Sequence, residues 1–219
     1  MSPTECVWTI VVGGGSGRRF GGEKQFEAIG DRRVIDLARE AAAAVSDGVV
    51  VVVPAQVATR EQAIAGGDTR TASVRAGLGA VPSTATIICV HDAARPFATS
   101  RLFRAVIGAV EGGADGAVPG VPVTDTIKVI DDQRAVVHTP TRESLVAVQT
   151  PQAFRAAALR AAHLGGDDGT DDASLVERRG GRVVVVPGEP DNRKITHRDD
   201  LEWARRRLSP TTPARRVRS

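Results

Sequence analysis

Tyrosine is absent from this 219-residue chain, aromatic residues make up 3% of it, and methionine occurs once. So few rings leave little material for a base-stacking platform, which disfavours polymeric nucleic acid as a partner. Cysteine is scarce too: Cys6 and Cys89 could form one bridge at most. Cys89 lies in an apolar, strand-like run where a buried thiol is expected, and a reducing cytoplasm is the expected compartment. Long hydrophobic runs are missing. The longest aliphatic stretch is five valines, Val49 to Val53, whereas a bilayer crossing needs ~20 residues. The opening MSPTEC has no basic end leading into an apolar stretch, so no signal peptide is expected and no membrane partner. Lysine is rare as well, with only Lys24, Lys128 and Lys194 among 29 cations. A chain that otherwise uses arginine keeps lysine where a compact point charge is wanted.

What remains, 42% apolar and 25% charged residues, suits one globular domain with ample chain to bury a core. The net charge of +3 is unevenly spread. From Arg193 onward nine Lys/Arg face three Asp/Glu, while residues 1–192 carry 20 basic and 23 acidic groups. The basic character thus belongs to the last stretch, and residues 209–219 (SPTTPARRVRS) read as a disordered, solvated tail.

Apolar runs without alternation, separated by helical stretches, indicate a mostly parallel sheet covered on both faces. Val7–Val12, Val49–Val53, Ala85–Val90, Gly116–Val118 and Arg182–Pro187 read as strands. Val34–Val45, 57–65, 70–80, Ser100–Val110 (capped by Ser100), Ala153–Leu164, Asp171–Arg179 and Arg198–Leu208 read as helices. Thr126–Ile130 and Ala135–His138 flank the turn DDQR and predict a hairpin or projecting arm within 122–147. The expected architecture is a single three-layer α/β domain over residues 1–208 with one inserted β-arm.

The most informative segment is GGGSGRRFGGEKQ, directly after the first strand. Glycines let backbone N–H groups wrap an anion. The segment is not a P-loop, because Gly17 is followed by Arg18 and Arg19 rather than Lys-Ser/Thr. Nor is it a dinucleotide fingerprint, whose third small residue would fall on Arg18. A glycine loop carrying arginines and Lys24 is a cradle suited to a triphosphate. The bland alternative is a flexible surface loop with solvated arginines.

That segment, followed in order by GGDTRTASVRAGL, VHDAARP, PVTDTIK, QTPQAF, TDDAS and DNRKIT, resembles the 2-C-methyl-D-erythritol 4-phosphate cytidylyltransferases of the non-mevalonate isoprenoid pathway. The match runs over nearly the whole chain. The ribitol-phosphate cytidylyltransferases share much of the set, and a nucleotide-binding regulator without turnover is a further alternative. Two departures stand out. The family loop usually begins Ala-Ala-Gly, here Gly13-Gly14-Gly15, and its Pro-Lys-Gln is here Glu23-Lys24-Gln25.

The resemblance implies a Rossmann-like nucleotidyltransferase fold and transfer of a cytidylyl group from CTP to a sugar-alcohol phosphate, with Mg²⁺ or another divalent cation as cofactor. A phosphate monoester with a second pKa near ~6 is already anionic at neutral pH, so no general base is required. By resemblance Arg19 and Lys24 hold the triphosphate, and Arg142 and Lys194 grip the acceptor phosphate. The backbone of Gly13, Gly14, Gly15 and Gly17 adds donors, while Gly67, Asp68 and Ser73 contact cytidine. Thr126, Thr150 and Thr170 face the acceptor. Asp92 is the expected metal carboxylate, with Arg95 close by. The arm would mediate a homodimer and lend Arg142 and Thr126 to the neighbouring site.

Each residue has a bland reading. Arg19 or Arg142 alone suits a solvated surface. Asp92-Ala-Ala-Arg95 suits a helix N-terminus with a local ion pair. Thr170 suits a cap for a helix from Asp171. Asp167, Asp168, Asp171 and Asp172 read as a solvated acidic turn, and His91 and His138 as structural residues.

Overall fold

The computed structural model describes residues 5–15 and 20–208. Gly17, Arg19 and the tail expected over 209–219 lie outside the described residues.

Among the described residues eight strands make the central sheet: β1 (Val7–Val12), β4 (Gly48–Val53), β5 (Ile64–Ala65), β6 (Ile87–Asp92), β7 (Gly116–Pro122), β10 (Val146–Val148), β11 (Gln152–Arg155) and β12 (Val183–Pro187). Their order is β10-β7-β11-β6-β1-β4-β5, with β12 also on β7. Strand β1 lies parallel between β4 and β6, and β12 runs parallel to β7. A small hairpin, β2 (Ala28–Ile29) with β3 (Arg32–Arg33), and the arm hairpin, β8 (Val129–Ile130) with β9 (Val136–His138), stand apart from the sheet.

The chain crosses from one neighbour of β1 to the other, so the carboxyl ends of β1, β4 and β6 open a crevice where a parallel α/β sheet binds ligands.

Among the described residues seven helices complete the layers: α1 (Val34–Ala43), α2 (Ala55–Ala58), α3 (Arg70–Ala80), α4 (Ser100–Glu111), α5 (Ala156–His163), α6 (Asp172–Arg178) and α7 (Arg198–Leu208). Alternation along β1 decides which face each covers. Ile10 and Val12 pack with Val74, Leu78, Leu159 and Leu175 from α3, α5 and α6. Val7 and Val11 pack with Ile35, Ala38, Phe103 and Val106 from α1 and α4. Helix α7 joins Phe20, Ile29, Val34, Leu37 and Ile195 in a satellite cluster through Leu201 and Ala204. The three-layer reading holds.

Three local expectations are corrected. The helix expected over 57–65 is only α2; the chain turns at Gln62 (φ 51°), and Ile64 and Ala65 pair with Val52 and Val53. The helix expected from Ala153 begins at Ala156. Ala153 and Phe154 instead fill the gap between β6 and β7 as antiparallel β11, so pairing overrides local helix preference. Gly116 permits this crossing, because a Cβ there would lie 2.6 Å from the Phe154 ring. Helix α4 is capped by Thr99, whose Oγ1 accepts the Leu102 N–H at 3.1 Å, rather than by Ser100. Among the described residues no helix is long and apolar enough to cross a membrane. Cys89 is fully buried, and burial pushes its thiol up to about 12.

Candidate active site

At the carboxyl end of β1 the chain turns at once into glycine. Gly13 N–H donates to Val52 O at 2.7 Å and Ala93 N–H to Val12 O at 2.9 Å, which locks the turn between β4 and β6. Gly14 lies against α3: a Cβ on it would come 2.8 Å from Ser73 Oγ. Helix α3 starts beside this turn, capped by Thr69, whose Oγ1 accepts the Ala72 N–H at 3.1 Å. The buried Ser73 hydroxyl donates back to Thr69 O at 3.0 Å.

Between these walls opens a cavity of about 850 Å³. Of the residues singled out from the sequence, Gly13, Gly14, Gly15, Lys24, Gly67, Asp68, Ser73, Asp92 and Lys194 all line it. Arg95, Thr126, Arg142, Thr150 and Thr170 do not.

Asp92, at the end of β6, is the electrostatic centre. Its Oδ2 accepts Lys194 Nζ at 2.6 Å and its Oδ1 accepts Arg70 Nε at 3.3 Å. Burial acts to raise its pKa, but Arg70, Lys194 and Arg95 outweigh it and hold the carboxyl well below the ordinary range. Lys194 is aimed by its own segment. Ile195 N–H donates to Ala94 O at 2.8 Å, and buried Asn192 donates through Nδ2 to Thr150 O at 2.8 Å.

Arg95 does not pair directly with Asp92 and starts no helix. Its Nη1 donates to Asn192 O at 2.7 Å, so it staples the Lys194 segment to the turn after β6. Thr150 lies behind Asp92, 5% exposed, its oxygen accepting the Asp92 N–H at 2.9 Å. Its hydrogen is committed to His91. His91 Nε2 lies 3.1 Å from Arg95 O, and a carbonyl only accepts, so Nε2 carries the proton. His91 Nδ1 then accepts from the Thr150 hydroxyl at 3.1 Å.

Burial lowers the His91 pKa from 6.5 to about 4, against the attraction of Asp92. The sign follows. The unfolded state binds this proton below about 6.5 and the folded state only below about 4, so stability is lost as pH falls through that window. At about 1.4 kcal/mol per pKa unit this is about 3 kcal/mol over the whole window. Urea midpoints measured from pH 7 to pH 4 should fall steeply in the wild type and more gently in His91→Gln.

Thr170 is exposed and does not cap α6; Asp171 does, its Oδ1 accepting the Ser174 N–H at 2.9 Å. The acidic turn is only partly solvated, because Asp172 is 1% exposed. Thr126 and Arg142 lie exposed on the arm, where Arg142 donates to Thr124 O at 3.1 Å. One subunit does not bring them to the cavity. Arg70 and Asn192 are not singled out by the sequence. Arg70 carried a signal, since a cation in the first turn of a helix opposes the helix dipole and implies a dedicated partner.

A family model described as 2-C-methyl-D-erythritol 4-phosphate cytidylyltransferase matches residues 7–209. A protein of that name from Nocardia farcinica is 40% identical, the alignment covering 90% of this chain and 92% of the relative. The bifunctional enzyme IspD/IspF of Solidesulfovibrio magneticus is 41% identical over 94% of this chain, which spans only 58% of that relative's length. The crystal structure of the cytidylyltransferase from Thermus thermophilus superposes with a TM-score of 0.78 at 33% identity, covering 93% of this chain and 98% of that one.

Proposed function

Because this chain belongs to the 2-C-methyl-D-erythritol 4-phosphate cytidylyltransferase family, we propose that it transfers the cytidylyl group of CTP to 2-C-methyl-D-erythritol 4-phosphate, giving CDP-methylerythritol and pyrophosphate. The observation that carries this reading is the convergence of Lys24, Lys194, Asp92 and the Gly13–Gly15 turn on one cavity with the N-terminus of α3.

Two anions must meet there, and an already ionised phosphate oxygen attacks the α-phosphate. The difficulty is charge and alignment rather than proton removal. Backbone donors of Gly13–Gly15 receive phosphate oxygens, joined by Lys24. Lys194 exchanges its bond with Asp92 for one with the acceptor phosphate. Gly67, Asp68 and Ser73 flank the cytidine. His91 takes no proton, since both of its ring nitrogens are committed.

Asp92 fits a divalent cation held chiefly by phosphate oxygens and water: it is ionised and lines the cavity. Among the described residues no three His, Cys, Asp or Glu side chains converge into a protein cage, which such a cation does not need. When bound, Mg²⁺ neutralises phosphate charge.

The arm argues for a homodimer. Ile130, Val136, Val137 and Val146 are 48%, 58%, 62% and 43% exposed, apolar side chains that a second copy would cover. Arg142 and Thr126 ride on the same arm and would reach the neighbour's cavity. Free Cys6 and buried Cys89 suit a reducing cytoplasm.

Incubation with CTP, Mg²⁺ and one acceptor at a time, following pyrophosphate, tests the reading. Release with methylerythritol phosphate is expected. Release only with ribitol phosphate would reassign the acceptor, and CTP binding without release from any acceptor would indicate a regulator.

A further inference from the structure

Arg70 sits at the first position of α3, and no acidic residue in that turn offsets it. Its guanidinium is instead clamped between two carboxylates from other parts of the chain. Nη1 donates to Asp172 Oδ2 at 2.6 Å, while Nε reaches Asp92 Oδ1 at 3.3 Å. Asp172 is buried, and His163 Nε2 lies 2.9 Å from its other oxygen. Two more bonds stitch the same junction: Thr69 Oγ1 donates to Asp168 Oδ1 at 2.9 Å and Gly169 N–H to Thr71 Oγ1 at 3.3 Å. A wall of the cavity is thereby fastened to residues 168–172, none of which lines it.

We propose that Arg70 is a positioning residue for Asp92 and Lys194, and that buried Asp172, outside the cavity, sets where Arg70 lies. This rests on the cytidylyltransferase reading of the cavity. Asp172 holds its end of the guanidinium more closely than Asp92 holds the other. Arg70 therefore offsets Asp92 Oδ1 and leaves Oδ2 to the Lys194 ammonium. Without the charge at position 172, Asp92 is the stronger anion in reach. The guanidinium then swings onto both Asp92 oxygens and displaces Lys194, loosening the cation that meets the acceptor phosphate. The forked geometry of arginine is what lets one side chain serve two carboxylates.

The substitution Asp172→Asn keeps the shape and removes the charge. The chain has three lysines, Lys24, Lys128 and Lys194, so labelling lysine with ¹³C at Cε gives three signals to follow by NMR. In unliganded Asp172→Asn the Lys194 signal should move while that of Lys128, on the arm, stays. With CTP and methylerythritol phosphate, kcat should fall about 10- to 100-fold with KM for CTP changed less than about threefold. In an Arg70→Met background, adding Asp172→Asn should cost less than about twofold, because Asp172 acts through Arg70.

Leu175→Ala, on the same helix, loosens the packing of α6 without touching the pair; it should leave both the Lys194 signal and kcat in place. Should Asp172→Asn not fold, Arg70→Met is the second route: with no guanidinium to compete, Lys194 holds Asp92 alone, and its signal should move in the opposite sense. An unmoved Lys194 signal, a kcat within about twofold of wild type, or losses that multiply in the double variant would each overturn the proposal. The signal is read without turnover. It therefore decides the placement of Lys194 even if the wild-type chain releases no pyrophosphate, which is the separate failure of the assigned reaction.

Discussion

Lys194→Met should lower turnover by about two to three orders of magnitude while CTP affinity stays within about threefold. The Lys194 side chain is 39% exposed, at the cavity, and its ammonium is held 2.6 Å from Asp92. In the unliganded chain that bond offsets one carboxylate oxygen. In the proposed transfer, negative charge builds on the α-phosphate and the departing pyrophosphate, in a site partly screened from water, where a fixed cation counts for more than at an open surface. Removing it leaves Asp92 to Arg70 alone, so the fold keeps a paired carboxylate and the loss falls on the chemistry. Steady-state pyrophosphate release and calorimetric titration with CTP separate the two effects. A kcat close to wild type would remove Lys194 from the reaction.

The second large effect concerns the arm. Arg142→Ala and Lys194→Ala should each be nearly inactive alone, yet a mixture refolded together at equal amounts should recover about a quarter of wild-type activity. Half of the randomly formed dimers are mixed. If the arm completes the neighbour's site, one of the two sites in each mixed dimer has an intact Lys194 and an intact Arg142. The physical basis is the exposure of Arg142 and its absence from the cavity lining of its own chain. Gain of activity on mixing is hard to produce in any other way. No recovery, with mixed dimers confirmed by mass, would place Arg142 in the site of its own subunit or outside the reaction.

The features legible from the sequence were those that repeat a simple rule. Valine-rich runs without alternation gave the parallel strands, and glycine following β1 marked the crevice beside its end. Rarity helped: two of the three lysines, Lys24 and Lys194, line the cavity. Partnerships formed only on folding were out of reach. Ala153 and Phe154 look helical locally and become strand because β6 and β7 leave a slot between them. Asp172 reads as one of several solvated acids until Arg70 and His163 close over it, from positions 102 and 9 residues away. Thr150 reads as a ligand hydroxyl, and only the fold reveals that its hydrogen goes to His91.

The proposed transfer uses no proton-abstracting side chain, and the pH dependence of kcat/KM for the acceptor is its sharpest check. With methylerythritol phosphate the profile should rise through a single ionisation near ~6, the acceptor's own, and stay level above it. A phosphonate analogue, whose second ionisation lies higher, should carry the midpoint up by the same interval. A midpoint that stays put when the acceptor's ionisation is moved would assign the proton to the enzyme and contradict the account.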